Sequence, residues 1–263
     1  MIISIIGIGF VGNALLNTFN KNMNNTIIIY DKYKNLGKIE DTINSDIIFI
    51  ALPTPYDDNL KSYNLDAIEK TLEYLRDNKN LIIIKSTILP GTCDELSKKY
   101  NLKIIHNPEF LSAKTANEDF ANSTHIVIGK TLNINNEDIN KIKKFYIEYF
   151  PNATYNICSA KESELMKLGC NSFYSVKIEF FTELFLLSNR LDCSFNIIRN
   201  LMLNNNWINP QHTNIPGHDG KISYGGLCFP KDTNALNEFM KKKDIPNYVL
   251  DATIKERNKL RDD

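Results

Sequence analysis

Apolar residues in the first half of the chain come in short, mostly β-branched blocks: Ile2–Ile6, Thr26–Tyr30, Ile47–Ala51, Leu81–Ile84, Lys103–Ile105 and Thr124–Ile128. Little two-residue alternation runs through them, as expected of strands covered on both faces. Between them lie helix-length segments, Asn13–Asn20, Leu65–Leu75, Cys93–Lys99 and Glu137–Phe150. Strand and helix in turn predict an α/β fold, a Rossmann-type doubly wound parallel sheet with crossover helices.

The period changes after Pro151. From about Ser159 to Leu191 there is no proline and one glycine, Gly169, and apolar residues recur at helical spacing: Leu165, Leu168, Phe173, Val176, Phe180, Leu184, Leu187, Leu191. Ser159 followed by Glu162 forms a capping-box pattern at its start. At 1.5 Å per residue such a helix runs about 45–50 Å, longer than one domain needs. We therefore expect a long central helix that pairs subunits in a homodimer. A helix at Asn196–Leu203, a loop from Asn204 to Gly226, and helices at Asp232–Lys242 and Asn247–Leu260 complete an all-α second part. The expected division is 1–155 and 156–263.

Charge changes the picture only by exclusion. The 31 basic and 31 acidic residues balance, so no bulk field favours nucleic acid or an anionic membrane. Five cysteines (Cys93, Cys158, Cys170, Cys193, Cys228) never form a C-x-x-C pair, which argues against a disulfide framework or structural zinc. The four histidines sit at no metal-ligand spacing and read as structural or loop residues, so no metal is expected. The apolar run Ile2–Val11 is short and broken by Gly7 and Gly9, with no basic flank, so neither a membrane span nor a signal peptide is expected. The default compartment is the reducing cytoplasm.

Two segments carry chemistry. Gly7-Ile8-Gly9-Phe10-Val11-Gly12 follows a strand and opens a helix, the context of a dinucleotide fingerprint. Asp31 ends the next strand, where a carboxylate accepts ribose hydroxyls and repels a 2′-phosphate; this favours NAD over NADP, although Lys32 beside it softens the argument. The second segment is Tyr224-Gly225-Gly226-Leu227-Cys228-Phe229-Pro230-Lys231-Asp232-Thr233. Its glycines allow close approach of a ligand to the backbone, and Lys231 can raise the thiolate fraction of Cys228. Asp232 reads equally as a helix cap. The other four cysteines read as inert buried hydrophobes.

Six blocks in order, Gly7–Gly12, Pro53–Pro55, KSTILPGT at Lys85–Thr92, NPEFL at Asn107–Leu111, ELMKLGCN at Glu164–Asn171 and GGLCFPKDT at Gly225–Thr233, resemble the UDP-glucose/GDP-mannose dehydrogenase family. The resemblance implies NAD-dependent oxidation of the C6 hydroxyl of a nucleotide sugar, UDP-glucose foremost, to the carboxylate through a cysteine thiohemiacetal and thioester. It implies Cys228 as nucleophile, Lys167 and Asn171 as oxyanion stabilisers, Asp232 and Thr87 on the catalytic water, and Glu109 in thioester hydrolysis. On the cofactor side it implies Gly7, Gly9, Phe10, Val11, Gly12, Asp31, Thr54, Pro55, Thr87 and Lys231. On the substrate side it implies Glu109, Phe110, Leu111, Lys167, Asn171, Tyr224, Gly225 and Cys228. By spacing alone, Lys167 and Asn171 also fit an ordinary solvated helix face, and the Pro53–Pro55 and Ser86–Thr92 loops ordinary punctuation.

Two departures stand out. Ser112 and Ala113 follow NPEFL where many relatives place a second glutamate. Relatives also carry a third domain, which reads much of the nucleotide, and the resemblance covers two of three domains. A piece cut at a domain boundary, a chain with a separately encoded partner and a minimal natural form all remain open. So do the same chemistry on GDP-mannose or a UDP-N-acetylhexosamine, and an inactive NAD-binding subunit.

Overall fold

The computed structural model describes residues 1–22 and 24–263, which divide into two compact units. The first comprises Met1–Pro55 and Asn64–Lys167, the second Tyr56–Tyr63 and Leu168–Asp263.

The first unit is built on a seven-stranded sheet of β1 (Ile2–Ile6), β2 (Thr26–Tyr30), β3 (Ile47–Ile50), β6 (Leu81–Ile84), β7 (Lys103–His106), β8 (His125–Lys130) and β9 (Thr154–Ser159), in the order β2-β1-β3-β6-β7-β8-β9. Alternate residues of each strand enter opposite cores. Ile3, Ile5, Ile47, Phe49, Leu81 and Ile83 pack with α1 (Phe10–Phe19), α4 (Ala116–Ala121) and α5 (Asn136–Tyr149). Ile6, Ile48, Ile50, Ile82, Ile84 and Ile104 pack with α2 (Asp66–Tyr74) and α3 (Thr92–Tyr100). Both faces being apolar explains why the strands read as continuous blocks. The chain leaves β1 towards β2 on one side and returns to β3 on the other, which opens a crevice at the carboxyl ends of β1 and β3.

The sheet is not wholly parallel: β8 runs antiparallel to β7, paired only at Ile105↔Lys130 and His106↔Gly129, while β9 pairs parallel to β8. The β7–β8 connection carries only the six-residue α4, and an antiparallel neighbour spares it a full crossover. β9 escaped the sequence reading because it is an edge strand with a mixed polar pattern, TYNICS, that lacks a continuous apolar signal.

The second unit is helical apart from a two-stranded ribbon, β4 (Tyr56–Asp57) and β5 (Ser62–Tyr63). Its helices are the remainder of α6 (Ala160–Arg190), α7 (Phe195–Leu203), α8 (Phe229–Lys242) and α9 (Tyr248–Leu260). Phe181, Phe195 and Ile215 form its core with Ile178, Leu184 and Phe185. The capping box at the start of α6 is formed: Ser159 N–H and Oγ both donate to Glu162 Oε2 (2.8 and 2.7 Å), and Glu162 N–H donates to Ser159 Oγ (3.2 Å). α8 begins three residues earlier than its sequence pattern suggested, so Asp232 lies inside the first turn and is not a cap. Pro230 explains the early start, since its fixed φ and missing N–H suit the first turn. Among the described residues no helix is long and apolar enough to cross a membrane.

Candidate functional site

The first unit holds the fingerprint turn. Gly7 N–H donates to Tyr30 O (2.8 Å), fastening the turn to β2. Glycine is obligatory at position 12, because a Cβ there would lie 1.8 Å from the Gly7 carbonyl oxygen. Nothing lies within 4 Å of where a Cβ on Gly9 would stand, which leaves the backbone open to an approaching group. Phe10 opens α1 and is exposed, Val11 is half-buried, and Gly9 and Phe10 line a cleft of about 610 Å³ with Lys34 and Ala113.

Asp31 stands beside the fingerprint turn. Its Oδ2 accepts from Ile8 N–H (2.8 Å), and Oδ1 accepts from Tyr33 N–H (3.0 Å) and Lys34 N–H (2.9 Å). Burial would raise its pKa, but these N–H groups and the Lys34 charge hold the carboxyl below the ordinary aspartate value. It is therefore an anion at neutral pH. Lys34 Nζ donates to Ile8 O (2.5 Å), so a lysine that sequence reasoning passed over braces the same turn. An open glycine backbone at a helix N-terminus, with an anionic carboxylate at the end of β2, fits the pyrophosphate and ribose of a dinucleotide.

The loops after β3 and β6 are tied together. Buried Thr54 donates from Oγ1 to Thr87 O (2.8 Å), and Ser86 Oγ donates to Leu52 O (2.6 Å). Thr87 is half-buried and Pro55 exposed. Glu164, fully buried on α6, closes the far end of the β6 loop. Gly91 N–H donates to its Oε2 (2.5 Å) and Cys93 N–H to its Oε1 (2.7 Å), which satisfies donors at the start of α3. Burial pushes the Glu164 carboxyl up to about 7, against the lowering effect of those N–H groups.

A second cluster in this unit joins NPEFL to α6. Lys167 Nζ lies 3.2 Å from Glu109 Oε1, with both side chains largely buried, and 5.6 Å from the Phe110 ring centroid. Glu109 Oε2 accepts from Leu111 N–H, which fixes the carboxylate within its own loop. Glu109, Phe110 and Leu111 line a cleft of about 470 Å³ with Lys85 and His125. Phe110 stacks on His125 at 5.4 Å. Lys85 is buried and donates to Asn107 Oδ1 (2.5 Å). Burial pulls its pKa down to about 7; the Glu109 charge opposes this and the Lys167 charge adds to it. Lys85 and Asn107 sit inside quoted sequence blocks, yet residue type alone does not tell a buried lysine from a solvated one.

The second unit holds the cysteine segment. Cys228 is exposed at the N-cap of α8, and its carbonyl accepts from Asp232 N–H (3.0 Å). A helix N-terminus favours a thiolate there. Asp232 is fully buried and gathers three donors. Tyr63 Oη donates to Oδ1 (2.5 Å), Lys231 Nζ donates to Oδ1 (2.5 Å), and Asn171 Nδ2 donates to Oδ2 (2.6 Å). The Lys231 ammonium thus lies against Asp232, and also 4.7 Å from the Tyr63 ring centroid. Asn171 is buried, so of the two readings weighed for it the solvated face does not hold; Lys167 is likewise buried. Tyr224 is buried. A Cβ on Gly225 would fall 2.3 Å from an Arg261 guanidinium nitrogen, so a larger residue there would displace the Arg261 side chain.

Of the other cysteines only Cys93 is buried; Cys158 and Cys170 are half-buried and Cys193 is exposed. Cys193 lies in the short connection between α6 and α7, which leaves it at the surface. Among the described residues no group of three or more His, Cys, Asp or Glu could hold a metal.

Residues 31–149 match the NAD binding domain of the UDP-glucose/GDP-mannose dehydrogenase family, and residues 161–259 match its central domain. The UDP-glucose 6-dehydrogenase of Rickettsia conorii is 34% identical over 227 residues, covering 81% of this chain and 49% of that protein. The chain spans about half the length of several such relatives. In fold it is similar to a UDP-glucose dehydrogenase from Pyrobaculum islandicum, with a TM-score of 0.85 and 22% identity over 98% of this chain and 68% of that one. A UDP-D-ManNAc dehydrogenase from Pyrococcus horikoshii gives a TM-score of 0.83 and 18% identity over 99% and 69%.

Proposed function

The chain belongs to the UDP-glucose/GDP-mannose dehydrogenase family, with NAD as cofactor, and from that premise we propose that it oxidises the C6 hydroxyl of a nucleotide sugar to the carboxylate, with UDP-glucose as substrate. The observation that carries this reading is the start of α8, where an exposed cysteine sits four residues before a buried carboxylate held by three donors. NAD, when bound, accepts one hydride in each of two oxidations.

In this reading Cys228 Sγ adds to the C6 aldehyde, giving a thiohemiacetal whose oxidation leaves a thioester. Water then cleaves the C–S bond, returning the thiol and releasing the carboxylate. Lys167 and Asn171 steady the oxyanions that form along this path, and the Glu109 partner of Lys167 keeps the ammonium fixed before charge develops. Asp232 and Thr87 position the attacking water, with Glu109 assisting hydrolysis. Phe110, Leu111, Tyr224 and Gly225 line the sugar, while Thr54, Pro55 and Lys231 act on the cofactor side. As a functional division we propose 1–155 for the NAD-binding domain and 156–263 for the helical domain, close to the family matches, whereas the compact first unit runs on through β9 to Lys167. Phe173, Phe180 and Leu187, seven residues apart on α6 and more than half exposed, support pairing of two chains along that helix.

Similar TM-scores to dehydrogenases of different sugars reflect the shared fold and leave the sugar to experiment. The test is to supply NAD with UDP-glucose, GDP-mannose or a UDP-N-acetylhexosamine and count NADH per sugar consumed. Two NADH per UDP-glucose is the expected result, and Cys228→Ser should abolish it while leaving NAD binding intact. Unchanged turnover in that variant would remove the thioester route, and silence with every sugar in an NAD-binding sample would favour the inactive-subunit reading.

A further inference from the structure

Tyr63 has no assigned role in the sequence blocks. It stands in a polar stretch between the β3 loop and α2, yet it belongs to the second unit. The Tyr56–Tyr63 ribbon carries it there. Tyr56 pairs antiparallel with Tyr63 and Asp57 with Ser62. The turn between them is stiffened by Asp57 Oδ1, which accepts from Asn59 N–H (2.9 Å) and Leu60 N–H (3.0 Å). At its tip, Leu60 O and Lys61 O accept from Lys242 Nζ (3.2 Å each) in the last turn of α8. At its base, Tyr63 Oη meets Asp232 in the first turn of α8. The ribbon is thus fastened to both ends of one helix.

We infer that Tyr63 is a positioning residue for Asp232: its phenolic O–H, delivered by the ribbon, fixes the carboxylate in place. The inference rests on the reading of Asp232 as the water-positioning carboxylate. Tyr63 is 4% exposed and its ring is pinned by the Lys231 ammonium, so the O–H has little freedom to turn away. Burial, the Asp232 charge and the charge of Cys228 hold the phenol proton well above its ordinary range, so Tyr63 remains a donor throughout the working pH. Among the described residues, Asp232 is held by Tyr63 from the ribbon, by Lys231 from the start of α8 and by the neutral Asn171 of α6. Tyr63 shares the hold on Oδ1 with Lys231, so its loss leaves that oxygen with a weaker grip.

Tyr63→Phe deletes the donor and keeps the ring. The bond lost is a short one to a charged acceptor, so at one fixed pH the carbon-13 carboxyl resonance of Asp232 in the whole chain should shift and broaden. 3-Fluorotyrosine at position 63, which keeps the hydroxyl as a stronger donor, should leave that resonance sharp and move it in the opposite direction. Where turnover is present, kcat should fall about tenfold or more in Tyr63→Phe, with KM and the NAD dissociation constant unchanged, and 3-fluorotyrosine should restore it. An Asp232 resonance that stays put in both variants would overturn the inference. The NMR readout needs no turnover, so a silent wild type with a shifted Asp232 resonance would count against the proposed function and for the positioning role. A turning-over wild type whose kcat is unmoved in Tyr63→Phe would do the reverse.

Discussion

Replacing Glu164 by glutamine tests how the loop between β6 and α3 is held. The carboxylate offers one oxygen to Gly91 N–H and the other to Cys93 N–H, and no solvent reaches it. Glutamine keeps one oxygen and places an NH2 where the second stood, so one of the two N–H groups must face a donor. An orphaned buried donor costs about 1–3 kcal/mol. Because RT is about 0.59 kcal/mol, that corresponds to an amide opening about fivefold to 160-fold more often. Hydrogen exchange followed at the Gly91 and Cys93 amides reads this directly. The comparison belongs at about pH 8, above the raised carboxyl value of about 7, where wild-type Glu164 is ionised and accepts at both oxygens. One of the two amides should lose protection in Glu164→Gln, while amides in the middle of β3 keep theirs. Equal protection at both amides in a folded variant would refute the idea that this carboxylate closes the loop.

Two further outcomes follow from packing and protonation. Gly12→Ala should lower both NAD affinity and melting temperature, because its Cβ would lie 1.8 Å from Gly7 O and overpacking costs about 1–3 kcal/mol. Gly9→Ala has open space and should lower NAD affinity alone, so calorimetric titration beside thermal melts separates the two. His106 is fully buried, and burial first, with the Lys85 and Lys167 charges, depresses its pKa to about 3 although the Ser86 carbonyl opposes this. Ser86 O can only accept, so Nε2 carries the proton and Nδ1 accepts from Ser163 Oγ at 2.8 Å. The unfolded chain therefore binds a proton that the folded one refuses. This stability is present above about pH 6.5 and is lost as pH falls towards about 3. Urea melts from pH 4 to 7 should show that slope, and His106→Gln should flatten it.

Much of the first unit was legible because its strands are buried on both faces, so an apolar block announces each one without tertiary information. The fingerprint was legible for a similar reason, since a backbone this close to Gly12 tolerates no side chain. β9 and the ribbon were not, because edge strands and two-residue strands bury too little to leave a period in the sequence. The direction of β8 was equally hidden, since pairing polarity depends on how the connection packs and not on strand composition.

The chemistry divides along the same line. The residue types at Cys228, Asp232, Lys167, Asn171 and Asp31, with their spacing, follow from the sequence alone. Which groups hold them does not. Tyr63 lies 169 positions from the aspartate it touches, and Glu164 lies 73 and 71 positions from the amides it caps. Lys85 becomes a lysine near neutrality only because burial removes its water. Local sequence determines backbone geometry and the residue types on offer. Burial and long-range hydrogen bonds set protonation and orientation, and these arise only when distant segments meet.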